Sequence, residues 1–239
     1  MVVSLKKFRT NIFADSANIR EIKILNKLSY IKGFTTNPTL IKNNSIKDYS
    51  SFSKKMIKEI GNKPVSFEVV SDDLQEIEKQ ALKISSWGKN VYVKIPITNT
   101  KKVSTNEIIK NLNNKNIKLN ITAITTFEQV KLLRKVINFK TPTYISIFAG
   151  RIADTGRDPK IIIKKSIKIF RRNKNVKFIW ASPRQIFNLI EAEETGCHII
   201  TLTNDILDKL KFLNKDLDQY SLETVKMFYE DAIKSKLKI

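Results

Sequence analysis

Val91-Tyr92-Val93-Lys94-Ile95-Pro96 places a lysine inside a run otherwise fit for a buried β-strand. A short run that is apolar on both sides belongs in a parallel sheet covered by helices, not in a half-wet antiparallel one. Working outward from it, β-rich runs recur at 12–14, 33–35, 65–69, 91–95, 118–122, 144–148, 177–180 and 199–202. Helical periodicity fills the gaps at 18–28, 46–60, 74–87, 105–113, 126–137, 159–172 and 183–195. A final helix is predicted over 221–236, where Leu222, Val225, Met227, Phe228 and Ile233 are available for burial. Eight strand–helix units in 239 residues match a closed (β/α)₈ TIM barrel of about 250 residues. An open doubly wound sheet stays open as an alternative, although no Gly-rich dinucleotide fingerprint follows any strand. No Pro-, Ser- or Gly-rich linker interrupts the alternation, so 1–239 reads as one α/β domain.

Composition narrows the function classes. One cysteine, Cys197, and one histidine, His198, cannot make a disulfide framework or a soft zinc site. No apolar run approaches the ~18 residues of a membrane span. Residues 1–10 carry Lys6, Lys7 and Arg9 without an apolar stretch after them, so no signal peptide is expected and the cytoplasm is the expected compartment. The net charge of +21 would favour any polyanion. Its densest block, 160–177, has Lys160, Lys164, Lys168 and Arg172 on one helical stripe, with Ile162, Ile163, Ile167 and Phe170 mainly elsewhere. That is an amphipathic helix with a wet basic face. No aromatic residue interleaves with those charges as a base-stacking platform would need, so a nucleic-acid partner is not expected. His198 reads as a packed strand residue.

A barrel gathers its chemistry at the C-terminal ends of its strands. The polar residues there are Asp15, Thr36 with Asn37, Glu68, Lys94, Asn120 with Thr122, Ser146 with Arg151, and Ser182 with Arg184. Alternation along the fourth strand points Lys94 inward with Tyr92. Taking an ammonium out of water favours the free amine and exposes a nucleophilic lone pair, the requirement for a Schiff base with a ketose. The bland alternative is a lysine that snorkels or merely pairs with an acid. Glu68 lies on the strand before it, and Asp15 adds a second acid. Schiff-base chemistry needs one group to shuttle protons through the carbinolamine and another to take the hydroxyl proton as a C–C bond breaks. Each acid could equally only pair with Lys94, or, for Asp15, cap the following helix.

Taken together, several stretches resemble the transaldolase family, in the small-subunit branch that includes fructose-6-phosphate aldolases. They are Phe13-Ala14-Asp15-Ser16-Ala17, Gly33-Phe34-Thr35-Thr36-Asn37-Pro38-Thr39-Leu40-Ile41, Ser66-Phe67-Glu68-Val69 and Val93-Lys94-Ile95-Pro96-Ile97-Thr98. Leu119-Asn120-Ile121-Thr122-Ala123-Ile124, the stretch Tyr144 to Asp154, and Ala181-Ser182-Pro183-Arg184 follow in family order. The Thr-Thr-Asn-Pro and Val-Lys-Ile-Pro segments carry most of the specificity.

The resemblance implies a TIM barrel of the class I aldolase type, with its Schiff-base lysine, Lys94, on the fourth strand. It implies Asp15 as acid/base at the aldol step, and Glu68 acting through a water that Thr122 holds. Asn37, Asn120 and Ser146 would hold a dihydroxyacetone unit, with Thr36 and Phe148 also in the substrate site. Arg151, Ser182 and Arg184 would bind the sugar phosphate, as two guanidinium forks and a hydroxyl suit a dianion. Neither metal nor organic cofactor is implied. The expected activity is transaldolase, moving dihydroxyacetone between phosphorylated ketose and aldose sugars of the pentose phosphate pathway. The aldolase branch resembles a pattern with Gln and Tyr where this chain has Glu68 and Phe148, so transfer is expected over release. A homo-oligomeric ring, pentamer or decamer, assembled through the terminal helix is also implied. The chain departs from the family pattern at 99–104, at Ala149-Gly150 and at Trp180, and these departures are expected to bear on substrate length and shape.

Overall fold

The computed structural model describes Leu5 and residues 8–236. The reading of residues 1–10 as free of a signal peptide falls largely outside them. Eight strands, β1 Asn11–Asp15, β2 Ile31–Thr35, β3 Val65–Glu68, β4 Val91–Pro96, β5 Leu119–Ile124, β6 Thr143–Ile147, β7 Val176–Trp180 and β8 Ile199–Thr203, are parallel and close into a barrel in chain order. Pairing of β1 with β8 makes the closure, which removes the open-sheet alternative. The helices are α1 Ile19–Asn26, α2 Pro38–Asn43, α3 Tyr49–Ile60, α4 Leu74–Ser85, α5 Asn106–Asn114, α6 Phe127–Val136, α7 Ala149–Ala153, α8 Pro159–Phe170, α9 Phe187–Thr195, α10 Asn204–Leu207 and α11 Leu217–Lys234.

Capping chemistry explains where several helices start. Asp48, Asp73, Asp158 and Asp216 each accept a backbone N–H from the first turn of α3, α4, α8 and α11. These caps start α3 three residues later, and α11 four residues earlier, than the periodicity predicts. Residues 183–186 do not join α9, which begins at Phe187. The short helices α2 and α7 lie in loops that the apolar pattern cannot register. Asn37 caps α2 with Pro38 at its first position, where the missing N–H costs nothing.

Two apolar layers hold the barrel. Between strands and helices lie Trp180, Phe34, Phe67, Phe178 and many aliphatic side chains, fully buried and each stabilising by ~1.5–3 kcal/mol. Inside, Phe13, Tyr92, Tyr144, Ile179 and Ile199 form an apolar plug beneath the mouth, with Ala181, just past β7, packed on it and lining the cavity. Tyr92 and Tyr144 stack with centroids 3.9 Å apart, and Phe13 meets Tyr144 edge-on. Gly33 makes room for this plug, since a Cβ there would sit 2.5 Å from the Phe13 ring. With the lower half closed, the polar residues are confined to the upper mouth.

The stripe Lys164, Lys168 and Arg172 on and after α8 is exposed while Ile163 and Phe170 are buried, the expected wet face; Lys160 approaches Glu191 at 3.9 Å. By contrast, α11 buries none of its residues, and Leu217, Val225, Phe228, Tyr229 and Ile233 are all exposed on the single chain. His198 packs against the Phe178 ring and its Nδ1 accepts the Phe178 N–H. Burial pushes its imidazole down, with Lys177 adding to the effect, so the neutral acceptor form persists. Among the described residues, no helix is long and apolar enough to cross a membrane.

Candidate active site

Parallel register pairs Glu68 of β3 directly with Lys94 of β4, and alternation turns both inward. Lys94 is 7% exposed. Its Nζ lies 3.0 Å from Glu68 Oε2 and donates to the Thr36 carbonyl at 3.0 Å. A buried ion pair of this kind does little for stability, because desolvation offsets most of the attraction. The Glu68 backbone is held in turn, its N–H donating to Tyr49 Oη at 2.9 Å. Burial pushes that phenol up to about 12, which keeps it neutral.

Asp15 sits across the mouth. Thr35 Oγ1 donates to its Oδ1 at 2.7 Å and Asn37 Nδ2 to its Oδ2 at 3.0 Å. Asn37 can do this because its own Oδ1 is spent on the Leu40 N–H at the start of α2. The helix-cap alternative for Asp15 falls away, since Asn18 caps α1. Burial pushes the Asp15 carboxyl up; Lys94 and the two hydrogen bonds only partly offset it.

A third group lies on β5 and β6. Ser146 Oγ donates to Asn120 Oδ1 at 2.7 Å, and Asn120 Nδ2 donates to Ser66 Oγ at 2.9 Å. Thr122 Oγ1 is buried without a hydrogen-bond partner among the described residues, although the residue lines the cavity. Phe148 follows β6 and also lines it, with the Arg151 guanidinium 5.8 Å from its ring centre.

The basic rim joins two loops. Arg151 lies in α7 after β6, and Ser182 and Arg184 follow β7; all three line the same cavity of about 520 Å³. Arg184 is clasped by Asp154, Nε to Oδ1 at 3.1 Å with a second bond through Nη2. Pairing with Arg184 holds the Asp154 carboxyl below the usual range.

The structure therefore brings together Asp15, Asn37, Glu68, Lys94, Asn120, Thr122, Ser146, Phe148, Arg151, Ser182 and Arg184 in one cavity. Thr36 is the exception. Its hydroxyl donates to the Ser66 carbonyl inside the wall, and only its own carbonyl turns to Lys94. The last residue of β2, Thr35, takes the inward direction, so the next one turns away. The segment 99–104 does not line the cavity either; Thr100 is bound through both its N–H and its hydroxyl to Asp72. Sequence reading missed Thr35, Tyr49, Ser66, Asp154, Thr201 and Asp205. Inward alternation could have found Thr35, Ser66 and Thr201; nothing local marks Tyr49 or Asp154. Among the described residues, no group of three or more His, Cys, Asp or Glu is placed to hold a metal ion.

Comparison with known proteins shows the family of the chain. The sequence profile of the Transaldolase/Fructose-6-phosphate aldolase family matches residues 12–239. The chain belongs to that family. A probable transaldolase of Thermoanaerobacter sp. (strain X514) is 33% identical over 228 residues, 95% of this chain and 99% of the relative. One of Methanococcus maripaludis (strain C5) is 35% identical over 199 residues, 83% and 88% of the two chains. Transaldolase/fructose-6-phosphate aldolase membership makes the chain an enzyme of the aldolase/transaldolase type. Among solved structures, N-acetylneuraminate lyase from Mycoplasma synoviae superposes with a TM-score of 0.53 at 11% identity, over 96% of this chain and 82% of that one. A HpcH/Hpal aldolase/citrate lyase family protein from Burkholderia cenocepacia J2315 reaches 0.58 at 9%, over 93% and 97%. Those two likenesses concern the barrel alone.

Proposed function

We propose that this chain is a transaldolase that moves a dihydroxyacetone unit between phosphorylated sugars through a Schiff base on Lys94. The observation that carries the reading is a buried amine 3.0 Å from a carboxylate at the mouth of a barrel. Glu68 takes the ammonium proton and frees the Lys94 lone pair to attack the ketose C2 carbonyl. The carbinolamine then loses water to give the iminium, with the proton passing between Glu68 and the leaving hydroxyl through a water. The unpartnered Thr122 hydroxyl suits that water.

Asp15 takes the proton of the C4 hydroxyl. The C3–C4 bond breaks, its electron pair moves into the iminium, and an enamine on Lys94 remains as the aldose leaves. An acceptor aldehyde reverses the step: the enamine carbon attacks the carbonyl carbon, and Asp15 returns the proton to the new alkoxide. Hydrolysis of the iminium then frees the product. Asn37, Asn120 and Ser146 offer amide and hydroxyl groups for the three-carbon unit. Arg151, Ser182 and Arg184 suit the terminal phosphate. Phe148 has no hydroxyl to help water protonate the enamine, which favours transfer over release. Sedoheptulose 7-phosphate and fructose 6-phosphate are the proposed donors, and glyceraldehyde 3-phosphate and erythrose 4-phosphate the acceptors, as in the pentose phosphate pathway.

The exposed apolar residues of α11 favour a homo-oligomeric ring assembled through that helix, since a single chain leaves them in water. The buried Cys197 thiol, pushed up to about 12 by burial, is inert and in keeping with the cytoplasm. Borohydride reduction with a donor sugar, followed by mass spectrometry, tests the core claim. An adduct on the peptide containing Lys94, absent from Lys94→Ala, is expected; an unmodified Lys94 overturns the reading.

A further inference from the structure

We propose that Thr201, acting through Thr35, is a positioning residue that favours the ionised form of Asp15 and so tunes its proton transfer. This rests on the reading of Asp15 as the acid/base of the aldol step.

The barrel closure makes the contact. Asp15 faces Thr35 across the β1–β2 ladder, and Phe13, one inward layer below Asp15, faces Thr201 across β1–β8. Thr35 Oγ1 thus reaches both sides, 2.7 Å from Asp15 Oδ1 and 2.6 Å from Thr201 Oγ1. Thr201 is 7% exposed and borders the cavity.

Proton counting sets the direction of the chain. Each hydroxyl carries one hydrogen, and an ionised carboxylate only accepts. With Asp15 ionised, the Thr35 hydrogen must point to Oδ1, so Thr201 must donate to Thr35. A hydroxyl that receives a hydrogen bond is a stronger donor itself, so Thr201 reinforces the bond that favours the carboxylate. Oδ2 is already served by Asn37, whose amide cannot turn because Leu40 N–H holds its oxygen. When Asp15 takes a proton on Oδ1, the chain runs the other way: Asp15 donates to Thr35, Thr35 to Thr201, and the Thr201 hydrogen turns to the cavity. The same oxygens are bonded in both states, but only the ionised chain ends on a charge, where its bonds are charge-assisted and the stronger ones, so the chain favours the carboxylate. Two hydroxyl rotations interconvert the states with no heavy atom displaced.

The device also opposes burial, which acts on Asp15 in the other direction. The charged groups that face or share this cavity are Lys94 from β4, Glu68 from β3, Arg151 after β6, Arg184 after β7 and Asp205 after β8. All five are unchanged in variants of the threonines, so a shift between variants reports on the hydroxyl chain.

The test is the pH profile of kcat/KM for transfer from fructose 6-phosphate to erythrose 4-phosphate, measured for Thr201→Val, Thr201→Ser and Thr35→Val. Valine keeps the shape and removes the hydroxyl; serine keeps the hydroxyl and removes a methyl. Thr201→Val should move the acidic limb up by about one pH unit, a tenfold change in the ionisation equilibrium. Thr35→Val should move it at least as far, and Thr201→Ser should restore the original limb. An unmoved limb in Thr201→Val overturns the proposal, as does a Thr201→Ser profile that matches valine. If Thr201→Val fails to fold, Thr35→Val decides by the same criterion. Borohydride trapping on Lys94 is run in parallel, above the limb. No adduct in the unaltered protein removes the Schiff-base reading and this one with it. An adduct in every variant with an unmoved limb removes this proposal alone.

Discussion

The backbone at Gly150 lies directly against the carbonyl of Ser182: a Cβ on Gly150 would fall 1.6 Å from that oxygen. Ser182 itself holds a left-handed φ of 57°, uncommon outside glycine. The loops after β6 and β7 are thereby locked, and with them Arg151 on one side and Ser182 and Arg184 on the other. What reads in sequence as local variation, Ala149-Gly150, is the hinge of the anion rim.

Gly150→Ala should therefore separate the two loops. Overpacking of this kind costs ~1–3 kcal/mol, visible as a lower Tm. KM for phosphorylated donors should rise at least about tenfold, while trapping of unphosphorylated dihydroxyacetone on Lys94 persists. Steady-state kinetics and borohydride trapping on one preparation check both.

Arg184→Ala removes a fork from the same rim and leaves Asp154 without its partner. Charge-assisted hydrogen bonds to phosphate are worth ~1.5–3 kcal/mol, about ten- to over a hundredfold in affinity. The bared Asp154 adds repulsion, so KM for phosphorylated substrate should rise toward the upper end. Replacing Lys164 and Lys168 together should change KM far less, since α8 lies on the outer ring and acts only through screened attraction. Equal effects from the two changes would mean the anion rim lies elsewhere.

Phe148→Tyr adds a hydroxyl to the cavity wall next to Arg151. Release of dihydroxyacetone without an acceptor should increase, and the ratio of transfer to release should fall. A coupled assay with and without erythrose 4-phosphate measures that ratio. An unchanged ratio would detach Phe148 from the choice between transfer and release.

Glu193 on α9 binds the chain entering β1, accepting from the Arg9 and Thr10 N–H groups at 2.9 Å each. Burial pushes its carboxyl up, but the hydrogen bonds from Thr10 and Arg9 together outweigh it and leave it below the usual range. A lowered carboxyl contributes stability that is present above its unfolded value of 4.5 and is lost as pH falls through the folded one. Glu193→Gln should thus cost about 1–2 kcal/mol at pH 7, with the gap to the unaltered protein closing below that range. Denaturant titrations at several pH values check the sign.

Ending the chain at residue 215 removes α11, whose apolar residues are exposed. The shortened chain should sediment as a monomer and stay folded, because no α11 residue is buried in the barrel. An unchanged assembly size by analytical ultracentrifugation would exclude the helix from the interface.

Much of this was written locally in the chain. Eight short apolar runs with helical periods between them specify the strand–helix alternation of a parallel sheet, since the period of an element is a property of neighbouring residues. Lys94 stands out because a charge inside Val91 to Pro96 has no place in a plain strand, and Glu68 and Asp15 stand out likewise at strand ends. Boundaries were less legible: Phe148 reads as the end of β6 but lies one residue past it, as the N-cap of α7. Thr36 looks like a site residue and is turned into the wall by the one-residue alternation from Thr35.

The sequence by itself determined the eight strand–helix units, the lysine in the fourth strand and the acids near it; closure of the sheet into a barrel belongs to the tertiary structure. Only the tertiary structure decided which neutral groups serve them. Thr201 meets Thr35 across 166 residues, Asp154 clasps Arg184 across 30, and Tyr49 reaches the Glu68 N–H across 19. A threonine or tyrosine carries no mark of its partner. Its role is set by register and closure, and these depend on every strand at once: β8 must pair with β1 before the Thr201 hydroxyl can find Thr35.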